Sequence, residues 1–276
     1  MLFLKRSRKV VSLTDLVAGI EAGETPEAGT VCITFDDGYL DNFTVAAPIL
    51  ASLYLPATLF LATGYMDTAE PQWSDRACMA LGRRQKHRLI LPDIGIDADM
   101  TQDDQRQQAT RLLHGYLLSA LPSAREATLL EMERQLAPSL DSVPRLGMNW
   151  DDVRALRKRY PLIEIGGHSR RHTDLMTHDT EIVREEIDGC AKDLRRELGI
   201  VPRLFAFPYG RSSGAARTMI TELGWSAAVG TNNQCRVEVE SDRLDLPRVG
   251  TPRTMTELRL KTSGAYPGAM ILLGKR

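Results

Sequence analysis

Three short stretches carry residues whose types and spacing could hold a cation and work on a carbonyl group. The first is CITFDDGYLDN, Cys32 to Asn42, where an apolar run (Val31, Cys32, Ile33) leads into two adjacent carboxylates, Asp36 and Asp37, with Gly38 behind them. Adjacent like charges repel, and desolvating either is costly unless a positive group neutralises them. Asp-Asp-Gly is also ordinary turn chemistry after a strand, so this stretch alone leaves both readings open. The second stretch is EIGGHSRRHTDL, Glu164 to Leu175, with His168 and His172 four residues apart. On a helical turn that spacing points both imidazoles the same way, toward one ion. Two histidines and a carboxylate form a common ligand set for Zn²⁺ and related divalent ions. An isolated H-x-x-x-H is more often a surface pair, but here it takes two of only five histidines and follows an apolar strand, as the Asp pair does. The third is LFAFPYG, Leu204 to Gly210, an apolar run that breaks at Pro208. A backbone N–H in the turn at Tyr209 could face a developing oxyanion, and a plain strand-ending turn would have the same composition.

The elements that must position these groups follow from the apolar runs. Seven segments read as buried strands: residues 9–13, 31–35, 57–62, 162–165, 203–207, 226–229 and 244–249. Helical patterns lie between several of them, over 42–54, 151–160 (with Asn149 or Asp151 in the cap region) and 180–198. The last is strongly amphipathic, with Ile182, Val183, Ile187, Ala191 and Leu194 on one stripe and Gly199 as its stop. Strands alternating with helices predict a parallel sheet with crossover helices, and sites in such folds sit at the C-terminal strand ends. Seven strands in a chain of this size point to a barrel-like α/β fold, although periodicity does not separate a barrel from an open sheet. From about Trp73 to Leu146 the pattern turns helical and polar and predicts an insertion. It contains helices over 105–121 and 123–136, the second opening with a capping box at Ser123 and Glu126.

Composition removes several classes. The formal net charge is −1, which argues against nucleic acid as a partner; the basic runs KRSRK (5–9) and RRQKHR (83–88) read as solvated faces. Cys32, Cys78, Cys190 and Cys235 have no C-x-x-C spacing, so reduced thiols are expected rather than disulfides or a thiolate zinc site. No run of about eighteen apolar residues predicts a transmembrane helix. The first residues turn basic at once without an apolar leader, so the expected compartment is the cytoplasm. The tail segment AMILLG (269–274) could pack or touch a membrane surface.

Taken together and in order, TFDDG, HSRRH and FAFPYG resemble the motifs of the polysaccharide deacetylases, the NodB-homology or carbohydrate esterase family 4 type. VVSLTDLVAGIEAG, PATLFLATGYM and NWDDVRALRKRYPLIEIGGHS extend the likeness to the exopolysaccharide-cluster branch over nearly the whole chain. The resemblance implies one deacetylase domain over 1–276, a distorted (β/α)7 barrel with a mostly helical insertion at about 73–146. It implies removal of an N-acetyl group from a sugar or polysaccharide with one divalent metal ion, Zn²⁺ foremost, with Co²⁺, Ni²⁺ or Mn²⁺ as the others. The substrate would be an N-acetylated sugar, oligosaccharide or glycan-lipid. Carried over by position, Asp37, His168 and His172 would bind the metal and Asp36 would be the general base. Pro208 and Tyr209 would shape the acyl groove, the Tyr209 amide holding the oxyanion.

The likeness has two departures. The arginine that tethers the base in many members corresponds to Ala206 here, and Arg248, in LDLPRVG, is expected to take its place. The late histidine that protonates the departing amine is missing, since none follows His178. Asp36 returning its proton, or His178, would then be the acid; Trp225 stands near the place of a further motif without its usual acidic partner. A catalytically weakened sugar-binding homologue, and a C–N hydrolase such as a deformylase on another small amide, are the alternative readings.

Overall fold

The structure is a computed structural model that describes residues 1–68, 70–141, 143–176, 179–231 and 236–263. It divides into two compact units, one formed by Met1–Asp67 with Met148–Arg276 and the other by Thr68–Gly147. In chain order the first unit opens with α1 (Leu2–Ser7), β1 (Lys9–Val10), α2 (Leu13–Glu21), β2 (Thr30–Val31) and β3 (Thr34–Phe35). A π-helical turn over Asn42–Ala46 runs into α3 (Ala47–Ser52), followed by β4 (Ala57–Leu61). The second unit holds α4 (Trp73–Gly82), β5 (Arg88–Leu91), β6 (Ile96–Asp99), α5 (Asp103–Ser119) and α6 (Pro122–Leu136). The first unit resumes with α7 (Trp150–Arg159), β7 (Ile163–Gly167), α8 (Thr180–Leu198), β8 (Leu204–Ala206) and α9 (Gly214–Glu222). It ends with β9 (Ala227–Gly230), β10 (Leu246–Pro247) and α10 (Met255–Lys261).

Six strands form one parallel sheet in the order β10-β9-β8-β7-β4-β3. All seven segments read as strands contain one. The exception to a single sheet is β1, which pairs in parallel with β2, the segment just before β3, in a two-stranded sheet of its own. Side chains alternate across the large sheet as the two-residue period of a strand requires. Phe60, Leu204, Ala206, Ala227, Val229 and Leu246 point to the inner face and pack on Leu13, Val17 and Ile20 of α2. The spacing of those three residues gives α2 one apolar stripe, which fills the concave side. Ala57, Leu59, Leu61, Phe205, Phe207 and Ala228 point outward into a second core shared with α3, α7, α8 and α9.

Helix boundaries follow local chemistry. Asn149 caps α7 through a capping box: its Oδ1 accepts from the Asp152 amide and its own amide donates to Asp152 Oδ2, both at 2.9 Å. α8 spans the expected residues, with Asp179 accepting from the Ile182 amide and Gly199 ending it at φ 62°. The capping box expected at Ser123 and Glu126 does not form. Pro122, whose missing N–H suits the first helical position, starts α6 one residue earlier, so Ser123 lies inside the helix. Glu126 instead accepts from Arg76 at 2.8 Å. The second unit also contains an antiparallel hairpin, β5 with β6, where a mostly helical and polar pattern was expected and no strand was named. Its alternation is plain in Leu89, Leu91, Ile96 and Ala98, all buried.

Cys32, Cys78 and Cys190 are free thiols, and burial pushes Cys32 and Cys190 up to about 12. Cys235, His178 and the 269–274 segment lie outside the described residues. Among the described residues no helix is long and apolar enough to cross a membrane.

Candidate metal centre and hydrolytic site

The residues singled out in sequence lie just beyond the C-terminal ends of parallel strands: Asp36 and Asp37 after β3, His168 after β7, Pro208 and Tyr209 after β8, Arg248 after β10. Parallel strands bring their C-terminal ends to one side of the sheet, so sequence-distant loops converge there. β7 can reach this position because Gly167 is bare. A Cβ there would stand 2.6 Å from the Trp225 ring and 2.8 Å from Cys190 Sγ. Trp225 therefore belongs to the core, edge-on to Phe205, and backs the strand that delivers His168.

Asp37 Oδ1 lies 3.7 Å from His168 Nε2 and 3.4 Å from His172 Nε2. The three donor atoms all fall within 4.8 Å of one another. Two ligand atoms each about 2.0–2.2 Å from a tetrahedral ion stand ~3.4 Å apart, which the two aspartate–histidine separations approach. The imidazoles are also set in the ligating form. His168 Nδ1 donates to the Ala206 carbonyl at 2.7 Å, which turns Nε2 toward the aspartates. Burial, reinforced by His172, pushes the His168 pKa below its usual value against the opposing pull of Asp36 and Asp37, favouring the neutral ring. His172 Nδ1 meets the Tyr209 hydroxyl at 3.1 Å, and the two rings stand edge to face.

His168 and His172 do not share a helical turn. They lie in a loop between β7 and α8 in which Ser169 (φ 60°) and His172 (φ 51°) are left-handed. The i,i+4 spacing converges through that loop geometry, because the chain must reverse over the strand end. Asp37 (φ 74°) and Tyr209 (φ 58°) share the same uncommon conformation. Among the described residues six non-glycine positions are left-handed, and four of them are in this site. Each such residue costs of order 1–3 kcal/mol and persists only where its surroundings hold it.

Asp36 stands beside the ligand trio. Its Oδ1 accepts from Arg248 Nη1 at 2.7 Å, and its Oδ2 is 3.9 Å from His168 Nε2. Burial raises its pKa, but His168, the hydrogen bond and charge of Arg248, and His172 together outweigh this and hold it below the usual carboxylate value. Arg248 also reaches Thr34 Oγ1 at 3.3 Å and lies over the Phe60 ring. Ala206, where a tethering arginine was absent from the sequence, is fully buried on the inner face.

Several residues of this region escaped the sequence reading. Thr34 shares Arg248 with Asp36. Asp174, fully buried, pairs with Arg211. Glu186 and Asp193 on α8 are buried carboxylates that face the histidine loop. A signal for the last two existed: both fall on the apolar stripe of α8, between Val183 and Leu194.

A sequence profile described as polysaccharide deacetylase matches residues 23–111 and 133–228, which include the aspartate pair, both histidines and the Pro-Tyr-Gly turn. The chain belongs to the polysaccharide deacetylase family. No curated protein sequence matches it. Among solved structures, the Streptococcus pyogenes deacetylase PplD, in complex with acetate, aligns with a TM-score of 0.60 and 15% identity over 95% of this chain and 81% of that one. IcaB from Ammonifex degensii aligns at 0.58 and 16% identity, over 96% and 86%. The deacetylase domain of BpsB from Bordetella bronchiseptica aligns at 0.55 and 14%, over 90% and 80%. At these identities the likeness establishes the fold, that of a polysaccharide deacetylase barrel.

Proposed function

We propose that the chain is a metal-dependent hydrolase that removes the N-acetyl group from a sugar unit of a glycan by attack of water on the amide carbonyl. The observation that carries this reading is the convergence of Asp37, His168 and His172 within ligating distance of one ion, with a second carboxylate, Asp36, held ionised at its side. A divalent ion bound by these three residues would supply a Lewis acid for the carbonyl and would make water acidic enough to ionise near neutral pH. Asp36 then takes the proton of the attacking water, with Oδ2 free of the Arg248 bond and facing the ligand trio. Arg248 keeps Asp36 unprotonated and fixes its orientation.

Pro208 and Tyr209 line the acyl side. Pro208 fixes the chain where β8 ends, and the Tyr209 amide is the proposed donor to the oxyanion of the tetrahedral intermediate. The Tyr209 hydroxyl accepts from His172 Nδ1–H and holds that ring as a ligand through Nε2. The amine must leave protonated, and Asp36, carrying the proton it removed from water, is the group in place to return it.

The experiment is acetate release from chitooligosaccharides and from nucleotide- and lipid-linked N-acetylated sugars, with and without added Zn²⁺. The reading predicts release that depends on the ion and falls by about 10²–10⁴-fold in Asp36→Asn. A second reading, a sugar-binding homologue with weakened chemistry, is favoured by the lack of any histidine after His178. It predicts glycan binding with no acetate released from any substrate.

A further inference from the structure

We infer that α8 is the template that sets the geometry of the two metal-ligating histidines, and that Glu186 is its principal positioning residue. This rests on the metal-centre reading above.

The loop from His168 to Arg171 can be followed atom by atom. The His168 amide donates to the Leu61 carbonyl at 2.8 Å. The Ser169 carbonyl accepts from the Thr63 amide at 3.1 Å, and the Arg170 carbonyl from the Gly64 amide at 2.8 Å. The Arg171 carbonyl accepts from the Tyr65 hydroxyl at 3.2 Å. The β4 side of the site thus satisfies the carbonyls. The Arg170 and Arg171 amides both find one acceptor on α8: Glu186 Oε2, 3.0 Å from the Arg170 nitrogen and 2.8 Å from the Arg171 nitrogen. Glu186 is fully buried.

A carboxylate buried on a largely apolar helix stripe is expensive unless it is paired. Oε2 of Glu186 takes both amides, while Oε1 makes no hydrogen bond and faces Arg171 Nη1 at 3.6 Å. Successive amides converging on one oxygen form an anion nest of the kind backbone makes when it turns through left-handed residues, and here Ser169 and His172 are those residues. The two hydrogen bonds to the Glu186 carboxylate hold this left-handed loop in place.

Two further residues of α8 complete the template. Asp193 Oδ2 accepts from Arg170 Nε at 3.0 Å and from Thr63 Oγ1 at 2.9 Å. The Arg170 side chain crosses the helix at Gly189, where a Cβ would lie 2.3 Å from Arg170 Cδ. Glu186, Gly189 and Asp193 thus occupy successive turns of one helix face, gripping the backbone and then the side chain of the residue midway between the ligands.

The test is Zn²⁺ affinity of the full chain, measured by competition with a chromophoric chelator, together with the visible spectrum of the Co²⁺-loaded protein. Glu186→Leu removes the acceptor of both amides, and Glu186→Gln keeps one neutral oxygen. The inference expects Zn²⁺ binding weaker by about 10–100-fold in Glu186→Leu, the range for residues that orient metal ligands. Glu186→Gln should recover part of it, and the Co²⁺ spectrum should change in both. Asp193→Asn should show a smaller loss in the same direction, and it carries the test together with Glu186→Gln if Glu186→Leu does not fold. Wild-type Zn²⁺ affinity and an unchanged Co²⁺ spectrum in the folded variants, with binding lost in His172→Ala, would overturn the template. Zn²⁺ affinity unchanged in His172→Ala itself would overturn the metal-centre reading instead.

Discussion

The two sides of the site are built differently. On the histidine side, the carbonyls of Ser169, Arg170 and Arg171 and the amides of Arg170 and Arg171 meet partners from the turn after β4 or from α8, and two buried carboxylates brace the loop. On the base side, Asp36 depends on a single guanidinium that arrives from β10, a two-residue strand at the sheet edge. Metal ligands tolerate little displacement, since a few tenths of an ångström spoil coordination, and over-determination suits them. A base needs only hydrogen-bond reach to its proton, and one orienting contact is enough. Changes on the histidine side should therefore remove the ion and the activity together. Changes on the base side should slow the reaction while leaving the ion in place.

The largest effect is expected from the ligands themselves. His168→Ala should bring acetate release to background and abolish tight Zn²⁺ binding, as activity and metal analysis on the same preparation would show. Asp36→Asn should lower kcat by about 10²–10⁴-fold, the usual contribution of a general base, with Zn²⁺ retained. A loss of Zn²⁺ in that variant would erase the distinction between the two sides.

Arg248→Ala should cost roughly 10–100-fold in kcat, since a hydrogen bond to a charged group contributes about 1.5–3 kcal/mol. It should also move the pH profile. Arg248 helps hold the Asp36 pKa below its usual value, and the base works only when ionised. Without the guanidinium that pKa rises, so the acid limb of kcat should shift to higher pH. An unmoved acid limb would separate Arg248 from the base. The smallest effect is expected from Tyr209→Phe, which removes the hydroxyl partner of His172 Nδ1 but keeps the backbone amide. Zn²⁺ affinity should fall about tenfold, the low end for such partners, because water can replace a hydroxyl that is only partly buried.

Much of this architecture is written locally. β4 is a fully buried run, apolar but for Thr58, α8 has an amphipathic stripe between Asp179 and Gly199, and the motif residues follow their strands directly. These features depend on neighbours a few residues away, which a sequence displays. The parts that stayed hidden depend on distant partners. Glu186 and Asp193 interrupt an apolar stripe, and nothing local says that the amides and guanidinium they hold lie 15 to 23 residues upstream. The histidine pair has a helical spacing but a loop conformation, because the strand end and α8 together override local preference. The β5–β6 hairpin follows RRQKHR, whose charge masks the alternation that begins at Leu89. The false capping box at Ser123 has the right letters, displaced by a proline that starts the helix sooner.

The account stands most directly on the Zn²⁺ stoichiometry of the metal-depleted protein, titrated calorimetrically beside a His168→Ala/His172→Ala double variant. It predicts about one tight equivalent in the native chain and none in the variant. A native chain that takes up no ion, or a variant that takes it up equally well, would contradict it.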